Sequence, residues 1–197
     1  MGLVEPRVVF AGAAFRRTLP VLVLMDLHEE ALPALGRPPM AEAKDALENC
    51  ARLLEAARVN GVPVAHCRRV GARCGEAERS PPPWLKGFAP RTSEMVFERE
   101  LLSCYTAAHF DRLLRYLREP RLLLAGLSTG AALLATALDA HDRAHSLNFV
   151  ADASASPSSA GPGQTDLAVQ AIDRFAVVIG TVAALAAMVP FPWEKGP

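Results

Sequence analysis

No apolar run in the 197 residues approaches the roughly 18–20 that a membrane-spanning helix needs, so no membrane partner is expected. Net charge is missing too: 21 Lys+Arg balance 21 Asp+Glu. That removes the electrostatic footprint of a nucleic-acid binder or of a protein held on an acidic surface. The four cysteines, Cys50, Cys67, Cys74 and Cys104, show no CxxC pair and no zinc-ligand spacing. An early apolar patch, residues 8–15, is broken by Arg16 and Arg17, unlike a signal peptide. These absences point to the cytoplasm, where free thiols are the rule. What remains is 51% hydrophobic and 21% charged, an ordinary globular composition. At this length it predicts one domain with a sizeable core.

The chain is organised around residues 121–139, RLLLAGLSTGAALLATALD. Leu122, Leu123, Leu124 and Ala125 read as a strand buried on both faces, ended by Gly126. Ser128, Thr129 and Gly130 form a tight turn, and 131–140 is a run of strong helix formers. Strand, turn and helix together aim backbone N–H groups and a positive helix end at one point above a sheet. An ordinary β–α corner has the same pattern.

Around this centre the rest falls into order. Residues 1–19 read as an arm. Residues 21–25 read as a first buried strand ending at Asp26, with His28, Glu29 and Glu30 beyond. A carboxylate there is where parallel sheets place ligands, and it equally suits a loop acid or helix cap. Residues 31–40 are a Pro/Gly-rich loop. Residues 41–60 are an amphipathic helix with Ala43, Leu47, Cys50, Leu54 and Ala57 on one stripe, ended by Asn60-Gly61. A second strand, 62–67, carries His66, Arg68 and Arg69 at its carboxyl end, for an anion or for solvent. Because His66 and Cys67 alternate, one of them faces the pocket. Residues 71–92 hold Pro81, Pro82, Pro83 and Pro90 and no periodicity. Trp84 in their middle suits a lid, a wall or an anchor.

A short strand at 95–97 is followed by Arg99, and Ser103, Cys104 and Tyr105 precede a helix over 106–117. A strand at 147–150 ends at Asp152. A helix at 164–175, a strand at 176–179 and a terminal helix at 182–188 capped by Thr181 complete the pattern, with 189–197 as a tail. The alternation predicts an α/β fold over 20–188: three-layer α/β/α, Rossmann-like, with a six-stranded, mostly parallel sheet.

Three pieces then line up. VLVLMD ends on Asp26. Arg99 lies four residues before Ser103-Cys104-Tyr105. AGLSTGAALLATALDAHDR precedes a strand ending VADAS. In order and spacing this resembles the isochorismatase-like hydrolases, the cysteine hydrolase superfamily, over residues 20–188. The resemblance implies an Asp–Lys–Cys triad, a thiolate that attacks a carbonyl or nitrile carbon, and an oxyanion hole from a cis Leu127–Ser128 peptide and turn amides. Asp26 matches the Asp. Arg99 stands at the Lys position, keeping the cation without the compact head group. Ala132, six residues after Gly126, stands at the Cys position and carries no nucleophile.

Natural loss of the cysteine, an engineered replacement and a catalytically silent binding homologue all fit Ala132; the second departure at Arg99 favours natural divergence. Cys104, beside Arg99, suits a nucleophile or a small filler. The family's nicotinamidase-type zinc set is missing from 31–40, so no metal and no cofactor is expected. His28 stands where the family commonly has Gln.

The resemblance thus implies a hydrolase of a small carbonyl, amide or vinyl-ether metabolite, atypical in its missing nucleophile, or alternatively a silent homologue that binds a ligand or partner. Asp26, Arg99 and Ala132 are the candidate catalytic positions. His28, Trp84, Tyr105, Leu127, Ser128 and Thr129 are the candidate substrate contacts. A homo-oligomer is expected, with the arm and the apolar terminal helix as candidate contacts.

Overall fold

Six apolar segments pair edge to edge in the computed structural model, which describes residues 19–31, 41–70, 81–156 and 164–189. They are β1 (Pro20–Met25), β2 (Val64–Arg69), β3 (Met95–Arg99), β4 (Arg121–Leu127), β5 (Leu147–Ala155) and β6 (Val177–Ile179). Every pairing is parallel, in the order β3-β2-β1-β4-β5-β6. The chain runs outward from β1 to β3 and returns to lay β4 beside β1. The order therefore reverses between β1 and β4, and their carboxyl ends open a crevice there.

Both faces are covered. α1 (Ala41–Asn60) and α5 (Thr181–Met188) pack on one side with Leu22, Leu24, Leu123 and Ala125. The other side carries α2 (Phe110–Tyr116), α3 (Leu134–Asp142) and α4 (Gln164–Ile172) with Val21, Val23, Leu122 and Leu124. Double coverage is why β1 and β4 are continuous apolar runs rather than alternating ones. Among the described residues no helix is long and apolar enough to cross a membrane.

Helix α1 has the bounds its periodicity predicts. Elsewhere long-range contacts shift the local signals. Gly126 does not end β4 but lies inside it, paired with Met25. Its φ is +132°, and a Cβ there would sit 2.2 Å from the Met25 carbonyl oxygen. Only glycine permits strands to meet this closely. Strand β5 continues past Asp152 to Ala155 because its ladder with β4 slips between Leu124 and Gly126. The Asp152 carboxylate then caps α5, accepting from the Thr181 N–H at 2.7 Å and the Thr181 hydroxyl at 2.8 Å. Thr181 is thus the capped residue and not the cap, and α5 begins with it.

The helix expected over 106–117 divides into a 3-10 turn at Cys104–Thr106 and α2, because His109 takes a left-handed conformation. The region expected as helix 131–140 opens with a π-turn, Thr129–Leu133, before α3. The second expected strand starts later, at Val64, and the fourth helix closes earlier, at Ile172. The arm except Leu19, residues 32–40 and 71–80 with Cys74, and the tail beyond Val189 lie outside the described residues.

Candidate active site

The carboxyl end of β1 turns sharply at Asp26, whose φ is +56°. The turn brings its carboxylate over the ends of β2 and β3. One oxygen accepts from the Arg69 N–H at 3.0 Å; the other accepts from the Arg99 guanidinium. Arg99 ends β3, and its side chain has no exposed surface. A second guanidinium nitrogen donates to the Leu101 carbonyl at 2.7 Å, while Nε has no partner. Taking two such charges out of water costs several kcal/mol per ion before their attraction returns it. Asp26 was singled out by its place at the end of the first strand and Arg99 by the family resemblance.

His28 lies beside them, buried, with Nε2 3.7 Å from Asp26 Oδ1 and no hydrogen-bond partner on either ring nitrogen. Its backbone bridges antiparallel to Trp84. The Glu29 N–H donates to Pro83 and the Leu85 N–H to Leu27, clamping residues 83–85 over this turn. Backbone contacts therefore fix Trp84 over this turn. Its ring meets His66 edge-on at 5.6 Å and carries the Arg68 guanidinium at 4.7 Å.

The β4 turn supplies the opposite side of the crevice. Ser128 is left-handed at φ +70°, and the π-turn follows. Irregular turns of this kind recur at functional sites. Thr129 is fully buried with its hydroxyl unpartnered, a feature no spacing pattern reveals. Ala132, 1% exposed, joins the cluster of Met25, Cys67 and Cys104. Leu127 packs on the α1 side, beneath the turn.

Other expected contacts are engaged elsewhere. Tyr105 gives its hydroxyl to a 2.7 Å bond with His145 and stacks against that ring, with the Arg143 guanidinium over the Tyr105 ring at 4.7 Å. His145 precedes β5, so the Tyr105 ring is directed to the amino ends of the strands, away from Asp26. His66 bonds Glu94 at 2.9 Å, and Arg58 holds the same carboxylate. The Arg58 bond, chiefly, pulls the Glu94 carboxyl down to about 2, and burial lowers His66. Arg68 pairs with Glu98, and Arg69 reaches the Glu100 carbonyl. Of the neighbours His66 and Cys67, His66 faces the α1 side and Cys67 the other.

Among the described residues the cysteines are free thiols, all buried. The neighbouring Cys104 thiol, with burial, pushes the Cys67 thiol well above the ordinary range. Burial takes Cys50 up to about 12, its thiol donating to the Ala153 carbonyl at 3.1 Å. Buried thiols of this kind are inert. Among the described residues no three His, Cys, Asp or Glu side chains gather to hold a metal ion.

The family model for the isochorismatase domain matches residues 20–183, spanning the whole sheet and every group just described. The chain belongs to the isochorismatase family. Solved structures agree. An isochorismatase from Pseudomonas putida KT2440 is 27% identical, with TM-score 0.69, covering 85% of this chain and 90% of that one. An isochorismatase-like hydrolase from Alkaliphilus metalliredigens shares 14% identity, with TM-score 0.73, covering 85% and 98%. N-carbamoylsarcosine amidase from Thermoplasma acidophilum is 22% identical, with TM-score 0.66, covering 82% and 96%. Below 25% identity the likeness speaks for the fold. No curated protein matches the chain in sequence. Within the isochorismatase family, this member combines a buried Asp26–Arg99 pair with an alanine at the turn of β4.

Proposed function

We propose that this isochorismatase-family protein hydrolyses a small carbonyl, amide or vinyl-ether metabolite, with water attacking in place of a side-chain nucleophile. The observation that carries the reading is the buried Asp26–Arg99 pair at the carboxyl ends of β1 and β3, faced by the unpartnered His28 side chain. Buried ionisable groups converging on a crevice are the mark of a functional site more than of a scaffold. Asp26 and Arg99 hold fixed charge at the reacting centre. Ala132 leaves the space that a side-chain nucleophile would occupy. His28, Trp84, Leu127, Ser128 and Thr129 line the substrate, and the Ser128 and Ala132 amides receive the developing oxyanion. The site works within a homo-oligomer of cytoplasmic chains.

A second reading, a silent homologue that binds a ligand or partner, is favoured by one observation: both Asp26 oxygens are already engaged. The parent and Ala132→Cys, assayed on small amides, nitriles and vinyl ethers with mass detection of adducts, separate the two. Turnover by the parent without an adduct supports water attack. Turnover with a covalent adduct in the variant alone, or silence from both, removes it.

A further inference from the structure

If water is the nucleophile, some group must take its proton. Asp26 is poorly placed to do so. Its two oxygens already accept from the Arg69 N–H and the Arg99 guanidinium. Among the described residues the thiols are buried, and that of Cys50 donates to the backbone. His28 alone combines burial, a neighbouring carboxylate and two ring nitrogens without hydrogen-bond partners, among the described residues.

We infer that His28 is the proton-transfer group of this site, with Asp26 as the anion that orients it. The inference rests on the hydrolase reading above. The Asp26 oxygen nearest the ring favours a proton on Nε2, leaving the Nδ1 lone pair to act as base. The 3.7 Å separation is of the kind that tightens into a hydrogen bond when substrate closes a site.

The steps balance. Nδ1 takes one proton from water as the oxygen forms a bond to the carbonyl carbon, and the π pair moves to the carbonyl oxygen. That pair then returns, the bond to the leaving nitrogen or oxygen breaks, and Nδ1 gives its proton to the leaving group. Asp26 stabilises the imidazolium in between, and Arg99 holds the Asp26 carboxylate in place. The charged surroundings of the ring agree with the role. Asp26 faces it from β1, with Arg99 of β3 behind. Glu29 and Glu30 follow it in the chain and are exposed. The covering segment brings Trp84, with Arg68 over its ring and His66 at its edge.

The test measures kcat/KM against pH for the parent, His28→Gln and Asp26→Asn, using p-nitrophenyl acetate and a panel of small amides. Acyl adducts are sought by mass, and a thermal melt of each variant checks the fold. The parent rate is expected to rise through one ionisation with no adduct. His28→Gln should lose about 10²- to 10⁴-fold and lose that ionisation while keeping a cooperative melt. Full activity with the parental pH profile in His28→Gln overturns the inference and leaves the hydrolase reading standing. A parent silent on every probe overturns both.

Discussion

Removing one charge from the Asp26–Arg99 pair should destabilise the protein more than removing both. In Asp26→Asn the side chain keeps an oxygen for the Arg69 N–H but sets an amide N–H against the Arg99 guanidinium, whose side chain has no exposed surface. An uncompensated buried charge of this kind costs about 3–5 kcal/mol. That is a large share of the roughly 5–15 kcal/mol holding a typical domain together. With a urea slope of about 2–3 kcal/mol/M the midpoint should fall by roughly 1–2.5 M. Arg99→Met strands the carboxylate instead and also loses the bond to the Leu101 carbonyl, so it too should lose stability. The double variant holds neither orphaned charge. It should therefore be at least as stable as Asp26→Asn, with a coupling energy of about 2–3 kcal/mol in the cycle. Urea unfolding of the four proteins, followed by circular dichroism, decides it. Additive losses, or an Asp26→Asn midpoint within about 0.3 M of the parent, would refute the argument that the pair is desolvated and mutually dependent.

Gly126→Ala should lose more than about 3 kcal/mol, because a β-carbon would meet the Met25 carbonyl at 2.2 Å on a backbone at φ +132°; a melting temperature near the parent's contradicts this close approach. Stability should fall with acid in two windows. His66, lowered by burial, binds a proton more readily when unfolded, so its contribution is whole above about pH 6.5 and fades as pH falls through its folded value. Glu94, held down to about 2, contributes fully above its ordinary value near 4.5, and that contribution is lost on the way down to about pH 2. Unfolding free energy against pH should lose the lower window in Glu94→Gln; an unchanged acid limb would contradict the bond to Arg58. Asp152→Ala should cost about 0.5–2 kcal/mol by uncapping α5, seen as faster amide exchange at Thr181 and its neighbours; unchanged exchange there would show the cap to be idle.

The apolar runs at β1 and β4 and the long stripe of α1 announced themselves, since period and apolar content are local properties. So did Asp26, at the end of the first strand, and Arg99, whose place before Ser103-Cys104-Tyr105 carried the family resemblance. Gly126 misled for a physical reason. A glycine after an apolar run reads as punctuation, yet here it marks the point where Met25 of a distant strand comes too close for any side chain. The slip in the β4–β5 ladder and the Asp152 cap likewise depend on partners far along the chain.

By itself the order of amino acids determined the layers, because period and apolar content are short-range pattern, and the family, through the order and spacing of three motifs. The tertiary structure alone decided which polar groups were consumed and which left open. Tyr105 went to His145 and His66 to Glu94. Asp26 took bonds from Arg69 and Arg99, while His28 and Thr129 were buried without partners. Hydrogen-bond satisfaction is a property of three-dimensional neighbours. No spacing along the chain encodes it, and it is what singles out His28 as the group left to move a proton.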